Sequence, residues 1–210
     1  MDEIFNVFPI VIINGKGGCG KDTLINLLDR SKFHPIVLST VDKIKQAAEI
    51  LGWNDHDKSD AARKFLSDIK SISQQFNNYP NRYIVNTIEN QVKFLMGALR
   101  PGSEFGVTRT PVFFIHCREP ESIFRLIHDI AASATCVSYC KAPITLLVRR
   151  AETTTHTYNN VSDDNVELYP YDCVIENDGT PEDGAAKLER MLLAVDNIIL
   201  SKTGHTPKIY

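Results

Sequence analysis

Short apolar runs alternate with amphipathic stretches along the chain. The apolar runs are bounded by Gly, Pro, Asn or Ser and are mostly continuous, which is typical of strands covered by helices on both faces. They predict strands at residues 9–14, 35–40, 112–117, 144–149 and 171–176. Apolar residues at helical spacing predict helices at residues 21–30, 41–51, 60–76, 82–99, 121–134 and 182–200. This alternation predicts an α/β fold with a five-stranded parallel sheet and helices on both faces.

The longest connection between predicted strands, at about residues 41–100, contains three of the predicted helices and is expected to form a helical lobe beside the sheet. Residues 102–110 and 151–169 have no helical period and are expected to be irregular. Residues 201–210 are expected to form a surface tail. Because no internal repeat or low-complexity tract divides the chain, we expect residues 1–210 to form a single domain.

The composition limits the classes of partner. The 210 residues include 23 Lys and Arg against 26 Asp and Glu, for a formal net charge of −3, and 43% are hydrophobic. A chain of this length can bury a core without disulfides or a structural metal. The near-neutral balance, without a long basic run, provides no footprint for nucleic acid or for an anionic membrane surface. We therefore expect a small-molecule partner, and both a monomer and a homodimer remain open.

Two further features favour a cytoplasmic protein. Asp2 and Glu3 are acidic where a secretory signal would be basic, and the apolar run at residues 8–13 is too short to span a bilayer.

The cysteines are odd in number, lack CxxC spacing and are interpreted as buried reduced thiols; they are Cys19, Cys117, Cys136, Cys140 and Cys173. A zinc site on Cys136 and Cys140 is disfavoured, because a second ligand pair is missing.

A glycine-rich segment follows the first predicted strand directly. Its sequence is Gly15-Lys16-Gly17-Gly18-Cys19-Gly20-Lys21-Asp22-Thr23, called the glycine loop below, and it fits the pattern GxxxxGK. Glycines allow a positive φ and let phosphate oxygens approach backbone N–H groups without a Cβ in the way. Lys21 would then place its charge near the β- and γ-phosphates. The pattern predicts a phosphate-binding loop for ATP, and an ordinary flexible glycine turn is the alternative.

Asp22 departs from this pattern, because Ser or Thr is expected at its position. The hydroxyl that usually contacts Mg²⁺ must then come from Thr23, or be replaced by the Asp22 carboxylate, directly or through water. We therefore expect Asp22 and Thr23 to lie at a magnesium site.

The tetrapeptide Gly20-Lys21-Asp22-Thr23 resembles the loops of phage-type deoxynucleoside monophosphate kinases and of animal-type phosphomevalonate kinases. Both belong to the nucleoside monophosphate kinase branch of P-loop proteins. The stretch Val174-Ile175-Glu176-Asn177-Asp178-Gly179 is similar to the end of the last strand in the same two families. The resemblance implies a P-loop kinase fold, ATP and Mg²⁺ as cofactors, a short lid at about residues 150–170, and backbone groups of Asn177, Asp178 and Gly179 beside adenine.

Other segments extend the resemblance to binding of a phosphate acceptor. Ser39-Thr40-Val41-Asp42 is similar to the stretch with which adenylate kinases open their acceptor-binding helices, and Lys45 stands where those enzymes have an arginine on the acceptor phosphate. For Lys45, a solvated helix face is the alternative. Arg118 occupies the place of another acceptor arginine, and a residue just past a parallel strand faces the ligand crevice. Charged residues of the predicted lobe are further acceptor candidates, namely Arg63, Lys64, Arg82 and Lys93.

Arg149 and Arg150 end the fourth predicted strand, where kinases of this branch begin their lid. Adjacent strand residues point to opposite sides, so we expect one arginine on the phosphates and the other on adenine or in solvent. The predicted lid has no Lys or Arg between Ala151 and Asp172. Its carboxylates could hold Mg²⁺ through water or simply form a solvated acidic loop.

These features together predict an ATP-dependent kinase that transfers the γ-phosphoryl group to a small phosphomonoester, with a nucleoside or deoxynucleoside monophosphate as the first choice. Lys21, Arg118 and one of Arg149 and Arg150 would surround the phosphates as catalytic groups, since phosphoryl transfer needs positioning and charge neutralisation. Phosphomevalonate is the alternative acceptor. A nucleotide-binding ATPase or sensor without an acceptor is a third possibility, although the third predicted strand ends in His116 and Cys117 instead of an Asp.

Overall fold

The computed structural model describes residues 8–57, 59–98, 109–154, 165–200 and 208–209. Within these ranges the backbone forms six parallel strands in one sheet, in the order β2-β3-β1-β4-β5-β6. The strands are β1 Ile10–Asn14, β2 Phe33–Ser39, β3 Thr110–His116, β4 Ile144–Arg149, β5 Cys173–Glu176 and β6 Lys208–Ile209. The first five correspond to the predicted strands, and their parallel pairing confirms an α/β fold.

Helices connect the strands in the described part of the chain. They are α1 Lys21–Asn26, α2 Asp42–Ile50, α3 Asp60–Asn77, α4 Tyr79–Ala98, α5 Pro120–Ala132, α6 Ala134–Tyr139, α7 Ala151–Thr154, α8 Pro181–Leu193 and α9 Val195–Leu200. A 3₁₀ helix, Val166–Leu168, precedes β5. Among the described helices, none combines the length and the apolar composition that a membrane span requires.

Alternate residues of the strands face two hydrophobic clusters in the described residues. In β1, Ile10 and Ile12 belong to one cluster, and Val11 and Ile13 belong to the other. The first cluster is completed by α4, α5 and α6, and the second by α1, α8 and α9. Helices therefore cover both faces of the sheet, as predicted, and this explains why the strand sequences are continuously apolar.

Several predicted helix boundaries are wrong, and polar side chains form local hydrogen bonds at two of them. The helix predicted at 21–30 ends at Asn26, and the Asp29 carboxylate closes a turn by accepting hydrogen bonds from the Ser31 N–H and hydroxyl, at 2.8 and 2.6 Å. The helix predicted at 121–134 ends at Ala132. Ser133 then caps the separate helix α6 by accepting the Cys136 N–H at 3.1 Å. The helix predicted at 182–200 is interrupted at Ala194.

Other differences concern the segments expected to be irregular. The expected tail contributes β6, whose two residues pair with Cys173 and Val174 at the start of β5. The expected lid contains α7 and the 3₁₀ helix. Its centre, residues 155–164, lies outside the described residues, as does most of the segment predicted to be irregular at 102–110.

The topology places the candidate chemistry at one edge of the sheet. Parallel strands end on the same side, so the last residues of β1 to β5 are neighbours there; they are Asn14, Ser39, His116, Arg149 and Glu176. In open parallel sheets this edge is where ligands bind.

Candidate functional site

The glycine loop has a backbone that only glycine adopts easily. Gly15, Gly18 and Gly20 have φ values of 148°, 76° and 94°. A Cβ on Gly15 would clash with the Val148 carbonyl oxygen, and one on Gly20 would lie 2.5 Å from Nδ2 of Asn177. The loop is thus packed against the end of β4 and against Asn177.

Lys21 is folded into the glycine loop and is buried. Its Nζ donates to the carbonyl oxygens of Gly15 at 2.6 Å and Lys16 at 3.0 Å, and lies 3.4 Å from the Cys19 sulfur. The positive charge is therefore held at the loop by backbone oxygens of the loop itself. An incoming anion would find this charge already in position.

Asn14 joins the loop to two other parts of the site, and the sequence analysis did not identify it. The side chain is fully buried, and its Oδ1 accepts the Gly15 N–H at 2.7 Å. Its Nδ2 donates to the Arg118 carbonyl oxygen at 2.8 Å and to the Tyr171 hydroxyl at 2.6 Å. The Tyr171 hydroxyl donates in turn to the Val166 carbonyl oxygen, and burial raises its pKa. One buried amide thus links the glycine loop, the end of β3 and, through Tyr171, the 3₁₀ helix Val166–Leu168.

Asn177 holds the glycine loop from the other side. Its Nδ2 donates to the Cys19 carbonyl oxygen at 2.9 Å, and its N–H donates to the Arg149 carbonyl oxygen at 2.7 Å. The following residues are more open: Asp178 accepts the Ala151 N–H at 2.7 Å, and Gly179 is exposed. The predicted contact of residues 177–179 with adenine stays a prediction.

The contacts by which Asn177 holds the glycine loop, called the clamp below, can be tested with Gly184→Ala in α8. The new methyl group would lie 2.5 Å from Cδ2 of Leu24 and would also overlap Oδ1 of Asn177. We expect the free energy of unfolding to fall by about 1–3 kcal/mol, measured by urea denaturation. The matched control is Gly97→Ala in α4, where a Cβ has open space among the described residues. This variant should raise the free energy of unfolding by about 0.5–1 kcal/mol, because alanine favours the helix more than glycine does. Equal effects at the two positions would contradict the clamp.

Arg149 is held by two carboxylates. Its Nε and Nη2 donate to the two Glu167 oxygens at 3.1 and 2.5 Å, and its Nη1 donates to Glu176 at 2.7 Å. Glu167, and after it Glu176, raise the pKa of Arg149 above its ordinary value. Arg150 lies 3.2 Å from a Glu152 oxygen. Arg149 would therefore have to exchange these carboxylates for a phosphate before it could act as predicted.

The structure also places the candidates after β2. Ser39 and Asp42 form the turn into α2: the Ser39 Oγ accepts the Val41 N–H at 3.3 Å, and Asp42 accepts the Ser39 N–H at 2.9 Å. Thr40 is buried and donates its N–H to the His116 carbonyl oxygen. Lys45 pairs with Asp55 at 2.9 Å, its Nζ 5.9 Å from the Trp53 ring centroid.

The other lobe candidates lie on helix surfaces. Arg63, Arg82 and Lys93 are exposed, and Lys64 pairs with Asp68 one turn away on α3 at 2.9 Å. These positions agree with solvated helix faces, and acceptor contacts by the lobe residues stay predictions.

A partly buried ion pair connects the lobe to the end of β3. Lys70 of α3, which the sequence analysis did not identify, is buried and pairs with Glu119, the residue after Arg118. Further along α3, Gln74 donates to Ser122 at 2.8 Å, and Asn78, the residue that follows α3, donates to Asp129 at 2.7 Å. These contacts, four residues apart in the chain, connect α3 and its C-terminal end to Glu119 and α5.

A cleft opens beside this ion pair. It has a volume of about 460 Å³ and lies between α3, the first turns of α5 and the 3₁₀ helix. Its lining includes Gln74, Glu119, Ser122, Arg125, Asn165 and Leu168. Arg118 is exposed directly before Glu119, and Asn14 fixes its carbonyl oxygen. The cleft, Arg118 and the glycine loop therefore adjoin at the same edge of the sheet.

Asp22 and Thr23 are exposed at the start of α1. The Asp22 Oδ1 lies 3.3 Å from Nε2 of His116, whose pKa is lowered chiefly by burial, while Asp22 raises it. The described residues contain no group of three or more His, Cys, Asp or Glu that could hold a metal by itself. The exposed Asp22 carboxylate and Thr23 hydroxyl beside the glycine loop are oxygen ligands of the kind that Mg²⁺ takes, and the magnesium site stays a prediction.

The fold and the site define an α/β protein with a parallel sheet, a glycine loop that holds a buried lysine, and a cleft under a helical lobe. No protein-family model matches the chain, and a search of curated proteins found no match either.

Proposed function

We propose that the chain is a P-loop kinase of the nucleoside monophosphate kinase type. It transfers the γ-phosphoryl group of ATP to a small phosphomonoester, with a nucleoside or deoxynucleoside monophosphate as the first choice. The observation that carries the proposal is the position of Lys21, whose Nζ lies 2.6 Å from the Gly15 carbonyl oxygen inside the glycine loop. A lysine charge within a loop of positive-φ glycines, directly after a buried parallel strand, suits the end of a triphosphate.

The geometry of the glycine loop supports a proposed donor site. Backbone N–H groups of the loop hold the phosphates of ATP, and Lys21 neutralises charge that develops on the β- and γ-phosphates. Asn14 and Asn177 keep the loop in shape from opposite sides through the Gly15 N–H and the Cys19 carbonyl oxygen. Asp22 and Thr23 would hold Mg²⁺, directly or through water, and the ion would offset negative charge on the phosphates of ATP.

The cleft beside Glu119 supports a proposed acceptor site. Arg118 holds the acceptor phosphate, which is the nucleophile, so the reaction needs no strong general base. The rest of the acceptor lies in the cleft, whose lining includes the neutral polar side chains of Gln74, Ser122 and Asn165.

A second candidate function is a nucleotide-binding protein that does not transfer phosphate. It is favoured by the ion pairs of Arg149, which occupy that side chain with Glu167 and Glu176 at distances of 2.5 to 3.1 Å. A kinase would need this arginine or Arg150 to turn towards phosphate.

A coupled assay of ADP release across a panel of monophosphates separates these possibilities. Release that depends on a nucleoside monophosphate supports the kinase, and release that depends on phosphomevalonate supports the alternative acceptor. Release without any acceptor indicates an ATPase. Binding of Mg-ATP without release indicates a sensor, and absence of binding at millimolar ATP would contradict the proposal as a whole.

The role of Arg118 gives a separate prediction. Arg118→Ala removes a charge-assisted contact to the acceptor phosphate, so we expect the acceptor dissociation constant to rise about 10- to 100-fold. ATP affinity should change by less than about threefold, because the glycine loop is untouched. Isothermal titration calorimetry measures both, with Arg190→Ala, an exposed arginine of α8, as the matched control. Equal losses for the two ligands would contradict this placement.

A further inference from the structure

Cys136 and Cys140 form a thiol pair far from the glycine loop. Cys136 lies in α6, and Cys140 lies at its end, where the backbone leaves the helix with φ −108° and ψ 149°. The backbone of Cys140 forms an isolated parallel β-bridge with Phe8, which precedes β1. Strand β4 begins four residues after Cys140, at Ile144. The pair is therefore near the amino ends of the strands, at the edge opposite the candidate site, and the proposed kinase reaction does not use it.

The two thiols are in contact and belong to a chain of hydrogen bonds. The Cys140 side chain is hydrogen-bonded to the Cys136 sulfur, and Ser133 is a second partner of that sulfur. The Ser133 hydroxyl donates to Glu89 at 2.5 Å, which fixes its position at the start of α6. One turn of helix separates the cysteine Cα atoms by about 6 Å, within the range that a disulfide spans.

A cavity gives access to the pair. Both cysteine side chains are buried, but they line a half-open, mostly apolar cavity of about 220 Å³ between α5, α6 and the start of β4. Ile130, Val137 and Pro143 form apolar parts of its wall. Lys141, at the rim, pairs with Asp196 at 2.6 Å. The cavity therefore brings open space up to the two cysteine residues.

The cysteines of the chain differ in their readiness to ionise. The hydrogen bond from Cys140 lowers the pKa of Cys136 to about 7, and the same contact raises the pKa of Cys140. Burial raises the pKa of Cys117 to about 12. Because the thiolate is the nucleophile, Cys136 would react first, beside a partner that still carries its proton.

We propose that Cys136 and Cys140 are a dithiol modification site at which a hydroperoxide closes a disulfide. The Cys136 sulfur attacks the peroxide and the O–O bond breaks, which leaves a sulfenic acid on Cys136 and releases an alcohol, or water from hydrogen peroxide. The Cys140 sulfur then displaces the hydroxyl, which forms the S–S bond and water. The two thiols lose two electrons to the hydroperoxide, and their hydrogens leave in the alcohol and water.

Peptide mass spectrometry of the full chain tests this proposal. The folded protein is treated with one equivalent of cumene hydroperoxide or hydrogen peroxide, denatured, alkylated with iodoacetamide and digested with trypsin. Residues 126–141 form one tryptic peptide that contains both cysteines. We expect this peptide to carry no alkyl group and to be two hydrogen atoms lighter than the reduced, unalkylated peptide. Peptides with Cys117 and Cys173 should be alkylated. Full alkylation of the 126–141 peptide, or equal oxidation of Cys117, would overturn the proposal.

Variants separate the two steps and the route of access. In Cys140→Ser, we expect oxidised Cys136 to remain a sulfenic acid that dimedone traps. Without peroxide, Cys136 in the folded wild type should react with iodoacetamide at least about a hundredfold faster than Cys117. Ala142→Leu, at the cavity, should slow this labelling, whereas the exposed Ala132→Leu, outside the cavity, should not. If Cys140→Ser yields no dimedone adduct, or Ala142→Leu has no effect, the proposed chemistry or access is wrong.

Discussion

Lys21→Ala is expected to lower acceptor-dependent ADP release by about a hundredfold or more, which is the effect of removing one group that stabilises charge in a transition state. The Lys21 ammonium lies inside the glycine loop, held by the carbonyl oxygens of Gly15 and Lys16 at 2.6 and 3.0 Å. Since the proposed transfer depends on neutralising phosphate charge, the neighbouring backbone N–H groups cannot replace this positive charge. The measurement is the coupled assay at saturating Mg-ATP and monophosphate.

The fold should survive this substitution. Asn14 and Asn177 hold the loop through contacts that do not involve Lys21, so we expect the free energy of unfolding to change by less than about 2 kcal/mol. Lys32→Ala, an exposed lysine between Asp29 and Glu189, is the matched control and should keep full turnover. Full activity in Lys21→Ala, with the fold intact, would contradict the kinase proposal.

The sheet could be predicted from the sequence because its strands are buried on both faces. β4 lies at the predicted residues, Ile144–Arg149, and the other long strands differ from their predictions only at their ends. The short helix α6 could not be predicted, because it depends on one serine, Ser133, that stops α5 and caps the next helix. Strand β6 could not be predicted either, since a strand of two residues has no period and exists through its pairing with β5.

The candidate site also contains features that could be predicted from the sequence and others that could not. The glycine loop is contiguous and could be identified from spacing, whereas its supports come from distant residues. Asn14 and Tyr171 are 157 residues apart in the chain, and Asn177 and Cys19 are 158 apart. Such pairs are decided by the order of the strands in the sheet, which the sequence pattern did not specify.

Lys70 is different, because the sequence did carry a signal. It lies four residues after Leu66 and eight after Ala62, within the apolar face predicted for α3. A lysine at such a position must reach solvent or a buried partner, and charged residues are seldom fully buried unless paired. The structure provides Glu119, next to the candidate acceptor arginine.

Removing either partner of this ion pair should destabilise the protein. Glu119→Gln leaves the Lys70 ammonium, 8% exposed, beside a neutral amide, and we expect a loss of about 2–4 kcal/mol, because Glu119 itself is one third exposed. Lys70→Met keeps the length of the side chain and should cost less. The double variant Lys70→Met, Glu119→Gln should be more stable than the sum of the single losses predicts, by about 1–2 kcal/mol in urea denaturation.

The same variants connect the ion pair to function. Lys70 and Glu119 join the lobe to the end of β3, and Arg118 precedes Glu119 directly, so loosening the pair should raise the KM for the acceptor more than the KM for ATP. Lys64→Met on the same helix is the matched control: its surface pair with Asp68 should contribute no more than about 1 kcal/mol, and neither KM should change. Additive losses in the double variant, or equal changes in both KM values, would show that the pair does not couple the lobe to the site.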